Sequence, residues 1–122
     1  MIKYGFTGNQ CIIHIIGWTT VEETIEPFKE LFASPRWKPG KMDIVGMTTQ
    51  EKIEWDVLKI KKVVNTIALG NPRRLAIIAW TEEGKVNVET VIPLLEMSGI
   101  SAKHFNDLQE LFDWLEEKHN GN

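Results

Sequence analysis

The sequence predicts one α/β domain: a single-layer, mixed, mostly parallel five-stranded sheet with about four helices, in the order β-β-α-β-α-β-α-β-α. Three observations predict it. Short β-branched apolar runs alternate with longer stretches of helical period, the pattern of strands joined by crossover helices. Helix-start signals stand between the runs, as in Thr20-Val21-Glu22-Glu23. The 122 residues, 43% hydrophobic with five Trp and five Phe, suffice for one core and leave no room for a second domain.

Ile2 to Phe6 alternates like a half-buried edge strand and turns at Thr7-Gly8-Asn9-Gln10 into a hairpin-like pair. Gln10 to Trp18 is nearly continuously apolar and Ile-rich, which predicts a central strand covered on both faces. Thr20 opens the first helix, where Val21, Ile25, Phe28 and Phe32 form one stripe; Pro27 should bend it and Ser34-Pro35 end it. Met42 to Met47 is the third strand and Thr48 to Lys52 a polar loop. Val57, Ile60, Val64 and Ile67 mark the second helix, with Lys59, Lys61 and Lys62 outside, and Gly70-Asn71-Pro72 stops it. Leu75 to Trp80 is an all-apolar strand followed by a polar turn over 81–85. Asn87 is expected to cap the third helix, with Val88, Val91, Ile92 and Leu95 on its core face and Gly99 at its end. Ser101 to Phe105 is the last strand. Asp107 starts a helix whose core face is Leu108, Leu111, Phe112 and Leu115. The first strand is expected antiparallel; apolar runs alone leave the strand order open.

Composition restricts the function classes. A net charge of −3 with interspersed signs lacks the basic excess that a phosphate backbone demands, so no nucleic-acid partner is expected. The N-terminus lacks a secretory pattern and no run approaches a membrane span, so the expected location is cytoplasmic. The single Cys11 lies inside an apolar strand, where a thiol is ordinarily inert, and a reducing compartment suits it.

Two stretches resemble the SpoIIAA-like group of the STAS domain superfamily (sulfate transporter and anti-sigma factor antagonist). Leu31-Phe32-Ala33-Ser34-Pro35-Arg36-Trp37-Lys38-Pro39-Gly40 is similar to that group's first helix and its exit, and 104–115, from His104 to Leu115, to its terminal strand and helix. The resemblance implies the same element order and a regulatory module that binds a protein partner. Classical antagonists carry a phosphorylatable Ser at the start of the helix after the third strand. Here Glu54-Trp55-Asp56 stands there, with Thr48 and Thr49 only loose substitutes, so the kinase switch is carried to no residue.

No catalytic constellation emerges. His14 and His104 fall within strands and His119 in the C-terminal tail, so none lies on a loop at the strand C-termini where a base would meet a nucleophile. His and Cys lack paired metal-ligand spacing, and Glu22-Glu23, Glu82-Glu83 and Glu116-Glu117 read as helix-start or solvated-face charges, so neither metal nor cofactor is expected. Gly84-Lys85 and Gly70-Asn71-Pro72 have no phosphate-loop spacing.

The C-terminal ends of the parallel strands give the candidate site: Trp18 and Thr19, Thr48 and Thr49, Trp80 and Thr81, with Trp55 at the start of the second helix. Open α/β sheets bind ligands on that rim, and hydroxyls beside aromatic surface suit a small amphipathic or anionic ligand or a protein segment. The structural reading is that Thr caps helices there and Trp ends strands for packing. Trp37, between Arg36 and Lys38, is expected to pack under its loop, with a surface anchor as the other reading; Trp55 beside Lys59 and Lys62 is read as a solvated face, and membrane contact is not expected. The favoured expectation is a non-catalytic regulatory module. The alternative is a lipid or apolar-ligand carrier, since STAS and CRAL-TRIO domains look related in architecture. A small enzyme using Glu82 or Asp56 stands third.

Overall fold

Strand order decides where the helices lie. The computed structural model describes residues 2–17, 20–50 and 56–120. Its α/β architecture is a five-stranded mixed sheet in the order β1-β2-β3-β4-β5. β1 (Ile2–Thr7) pairs antiparallel with β2 (Gln10–Gly17), and β3 (Asp43–Gln50), β4 (Arg74–Ala79) and β5 (Ala102–Phe105) follow in parallel. Each parallel step moves the same way across the sheet, so right-handed crossovers put α1 (Val21–Ala33), α2 (Val57–Gly70) and α3 (Glu82–Met97) on one face. The final helix, α4 (Leu108–Asn120), is bound by no crossover and covers the other face.

Two cores result. On the three-helix face Cys11, Ile13, Ile44 and Leu75 meet Phe28, Leu31, Val63, Ile67, Val91 and Leu95. On the other face Val45, Ala76, Ile78 and Phe105 meet Leu111 and Leu115. β2 departs from expectation: Cys11 and Ile13 are sealed under helices, whereas Ile12, His14 and Ile16 on the opposite face are only half-buried. The cause is α4, which packs on β4 and β5 and leaves the β1–β2 half of its face open. For the same reason Leu108 and Phe112, expected in the core, are exposed.

Local chemistry starts each helix. The Thr20 hydroxyl accepts from the Glu23 amide at 3.1 Å and donates to the Glu23 carboxylate at 3.2 Å. Asp56 and Asp107 accept from the Lys59 and Glu110 amides at 2.9 and 2.8 Å.

Two boundaries differ from expectation. Thr48, Thr49 and Gln50 extend β3 instead of forming a loop, because they continue the register against Ile15, Ile16 and Gly17. α3 begins at Glu82, not at Asn87: Thr81 is its cap, accepting from the Gly84 amide at 3.0 Å, with Glu82 and Glu83 in the first turn. Asn87 therefore sits inside the helix. Pro27 and Pro93 likewise lie within α1 and α3.

The loop after α1 is a clamp on the end of α2. Trp37 is buried, and its indole N–H donates to the Gly70 carbonyl at 2.9 Å, while the Gly40 amide donates to the Asn71 carbonyl at 2.7 Å. These bonds satisfy carbonyls that a helix C-terminus leaves open. The ring of Phe32 lies so close that a Cβ on Gly70 would come within 2.3 Å of it, so any other residue there would have to displace the ring. Trp37 thus packs as expected and is no surface anchor.

Candidate functional site

The strand C-terminal rim divides between the two faces of the sheet. Thr48 is buried on the three-helix side, and its carbonyl accepts from the Trp80 amide at 3.1 Å. Thr49 is half-buried and, by strand alternation, points the other way. Trp80 is 47% exposed, and its ring meets the His14 ring edge-on at 6.4 Å, on the face that α4 leaves open. Thr81 holds the start of α3. Thr48, Trp80 and Thr81 are thus brought together along the backbone, but their side chains serve different surroundings. Trp18, Thr19 and Trp55 lie outside the described residues.

Behind Thr48 is a cavity of about 70 Å³ between the sheet and the α1–α3 layer. Its floor is Ile13, Ile15, Ile44, Gly46, Leu75 and Ile77. Its roof comes from Thr24 and Phe28 of α1, Val63 and Ile67 of α2, and Asn87, Val88 and Val91 of α3. Among the described residues no charged side chain lines it. At about half the 150 Å³ of an apolar cavity that holds benzene, the space takes an alkyl segment of roughly three or four carbons.

Gly46 makes this space. It lies in the middle of β3, and a Cβ there would point into the cavity with its nearest neighbour, Ile77 Cγ1, at an ordinary 3.6 Å. The other glycine on this rim has a steric reason: a Cβ on Gly84 would fall 2.8 Å from Thr81 Oγ1 and 3.4 Å from Thr48 Cγ2. Gly84 lets the first turn of α3 settle onto Thr48.

The opposite pole carries a buried ion cluster. Asp43, 2% exposed, receives Nε and Nη2 from both Arg73 and Arg74 at 2.8 to 3.1 Å. Burial pushes its carboxyl up, and the hydrogen bonds and charges of the two arginines outweigh that and hold it below the ordinary carboxylate range. Arg74 also donates to the Leu115 carbonyl at 3.0 Å and lies over the Trp114 ring, so the cluster ties β3 and β4 to α4. It fronts a wide groove between the β1–β2 turn and α4. Every bond of Arg74 and Asp43 is turned inward, as in a structural ion cluster.

Nucleophilic chemistry finds little here. Cys11 is fully buried and its thiol is pushed up to about 11 by burial. His14 and His104 alternate onto opposite faces of the sheet, each with a buried Nε2 that has no hydrogen-bond partner among the described residues. Among the described residues no three His, Cys, Asp or Glu side chains gather as metal ligands would. Among them, too, no helix is long and apolar enough to cross a membrane.

Sequence reasoning missed the Asp43 cluster and the place of Asn87. The signal for the first was visible: Asp43 and Arg74 each stand directly before an apolar strand, where an unpaired charge would be costly to bury. Asn87 gave a misleading signal, since the same residue type that caps helices here sits inside one. No family model, curated protein or solved structure matches this chain.

Proposed function

We propose that the chain is a non-catalytic, STAS-like regulatory module that binds a small apolar or amphipathic ligand between its sheet and the α1–α3 layer, beside the ends of the parallel strands. The observation that carries this reading is the apolar cavity opened by Gly46 in the middle of a core strand. Apolar pockets with few polar groups are the usual form of a small-molecule site. The element order, with its antiparallel first strand, is compatible with the STAS-like reading. The sealed thiol and the separated histidines favour binding over chemistry.

The test is native mass spectrometry and thermal shift on the full chain. A co-purifying hydrophobic mass is expected, together with stabilisation by short-chain amphiphiles; at 100 times Kd a bound ligand adds about 2.7 kcal/mol. Gly46→Val, which fills the space with a residue suited to a strand, should abolish both. Retention unchanged in Gly46→Val sinks the proposal.

A second reading has its own observation. Val57, Leu58, Trp80 and Val86 are all exposed at the strand C-terminal end, where a protein partner could cover them. Trp80→Ala with Leu58→Ser would weaken partner capture and leave ligand binding unchanged.

A further inference from the structure

We infer that the outer face of α2 and α3 is the interface of a two-fold dimer, in which the α2 of each copy lies along the α3 of the other. The dimer requires neither the cavity nor a ligand in it. Four large apolar side chains on these helices face water: Leu58 and Leu69 on α2, Val86 and Met97 on α3, with Leu69 and Met97 the most open at 88% and 83%. The members of each pair are eleven residues apart, which is three helical turns and about 16 Å along one side of a helix. On both helices that side is turned away from the sheet, because Ile60, Val63 and Ile67 of α2 and Val88, Val91 and Leu95 of α3 are the buried ones.

The two helices differ in charge. α2 carries Lys59, Lys61 and Lys62 and no acid. Lys59 stands in its first turn, where the helix dipole disfavours a cation and where α1 and α3 each place two glutamates. α3 carries Glu82, Glu83, Glu89 and Glu96 against the single Lys85, which already pairs with Glu82 at 3.6 Å. Nothing within α2 calls for three cations, whereas the α3 of a second copy does.

Symmetry turns this difference into a fit. A two-fold axis parallel to the helices and midway between them sets α2 on the α3 of the second copy, both pointing the same way. An axis across the helices would set α2 on α2 and lysine on lysine, which is repulsive. With the parallel axis, the equal spacings bring Leu58 to Val86 and Leu69 to Met97. The charges then meet at the rims. Lys59 and Lys62 lie toward the side of α2 that Gly70 turns to Phe32 of α1. Glu82, Glu89 and Glu96, seven apart, run along the side of α3 opposite Asn87, which lines the cavity with Val63 and Ile67 of α2. The axis brings these two outer sides together, with Lys62 level with Glu89. Helices of 14 and 16 residues side by side present a face about 20 Å in each direction, on the scale of the smaller stable interfaces.

The experiment is sedimentation velocity of the full chain up to about 1 mM. A species of twice the 14.0 kDa of one chain is expected. Leu69→Asp and Met97→Asp, at positions outside the core, should each raise the dimer Kd at least roughly tenfold and leave the circular dichroism spectrum unchanged. Lys62→Glu and Glu89→Lys should each weaken the dimer about fivefold, and combining them should restore it. The restoration reports contact between copies, since within one chain the two residues lie on opposite outer sides of neighbouring helices. A chain that stays monomeric overturns the inference, and so does a dimer that Leu69→Asp and Met97→Asp leave intact. A dimer lost in those variants but weakened further by the combined charge exchange overturns the placing of α2 on α3.

Discussion

Replacing Asp43 by Asn removes the one negative charge that faces two guanidiniums. The side chain of Asp43 is 2% exposed and that of Arg74 is 7% exposed, so Arg74 is left with nowhere to hydrate. The shape is kept, but an amide nitrogen would face the Nη2 donors of both arginines, which now sit 2.9 and 2.8 Å from Oδ2. Breaking one side of a buried pair costs about 3 to 5 kcal/mol. For a chain of this length that corresponds to a Tm lowered by roughly 10 to 20 °C, measurable by calorimetry at pH 7. Acid should erase the difference. The folded carboxyl titrates below its unfolded value of about 3.9, so its contribution is complete above that value and is lost as pH falls through the folded one. The variant and the wild type should therefore begin to converge as pH falls below about 4 and meet only below the folded value. The double variant Asp43→Leu with Arg74→Met should recover most of the loss, because a well-packed apolar pair can replace a buried ionic one. A loss under about 1 kcal/mol for Asp43→Asn at pH 7, or a loss independent of pH, would refute the cluster as a structural tie.

Three further substitutions or probes test the packing. Gly70→Ala should destabilise by about 1 to 3 kcal/mol in urea denaturation, since the Cβ would force the Phe32 ring off the end of α2. Gly46→Ala, in contrast, should stabilise the empty protein by about 0.5 to 1 kcal/mol, because it removes a strand glycine without a clash. With its thiol held at about 11, Cys11 should react with a thiol reagent at pH 8 at least ~100-fold more slowly in the native protein than in urea.

How much was legible in the sequence depended on the range of the interaction that decides each feature. Thr20, Asp56 and Asp107 cap helices through bonds three residues away, so a local pattern suffices to find them. The segment 81–87 held two cap candidates with a glycine between them. Isolated Gly84 resembles a turn, yet it lies in the first turn of α3, bonded to the Thr81 cap and close to Thr48, far away in the chain. Thr48 and Thr49 resembled a polar loop until their register against β2 was known. Asp43 and Arg74 are 31 positions apart and meet only because β3 and β4 are neighbours. The half-open face of β2 depends on where α4 lands, and an apolar run carries no record of which helix covers it.

A cavity leaves a fainter trace than a motif, because it is a mismatch of volumes between elements distant in sequence. Its trace here is a pair of residues that go against their local structure. Gly46 costs its strand about 0.5 to 1 kcal/mol relative to alanine, and Asn87 costs its helix up to about 0.7 kcal/mol. Gly70 and Gly84, the other buried glycines of regular elements, are required by Phe32 and Thr81, whereas nothing around Gly46 excludes a side chain. Nor does a cap or a hydrogen bond within the described residues require Asn87. Where most local choices agree with the fold, unforced exceptions belong at functional positions. Both exceptions line the same cavity, one on its floor and one on its roof. That convergence supports the proposed ligand site: a packing defect needs one ill-fitting residue, and here two elements each give up stability at the same place.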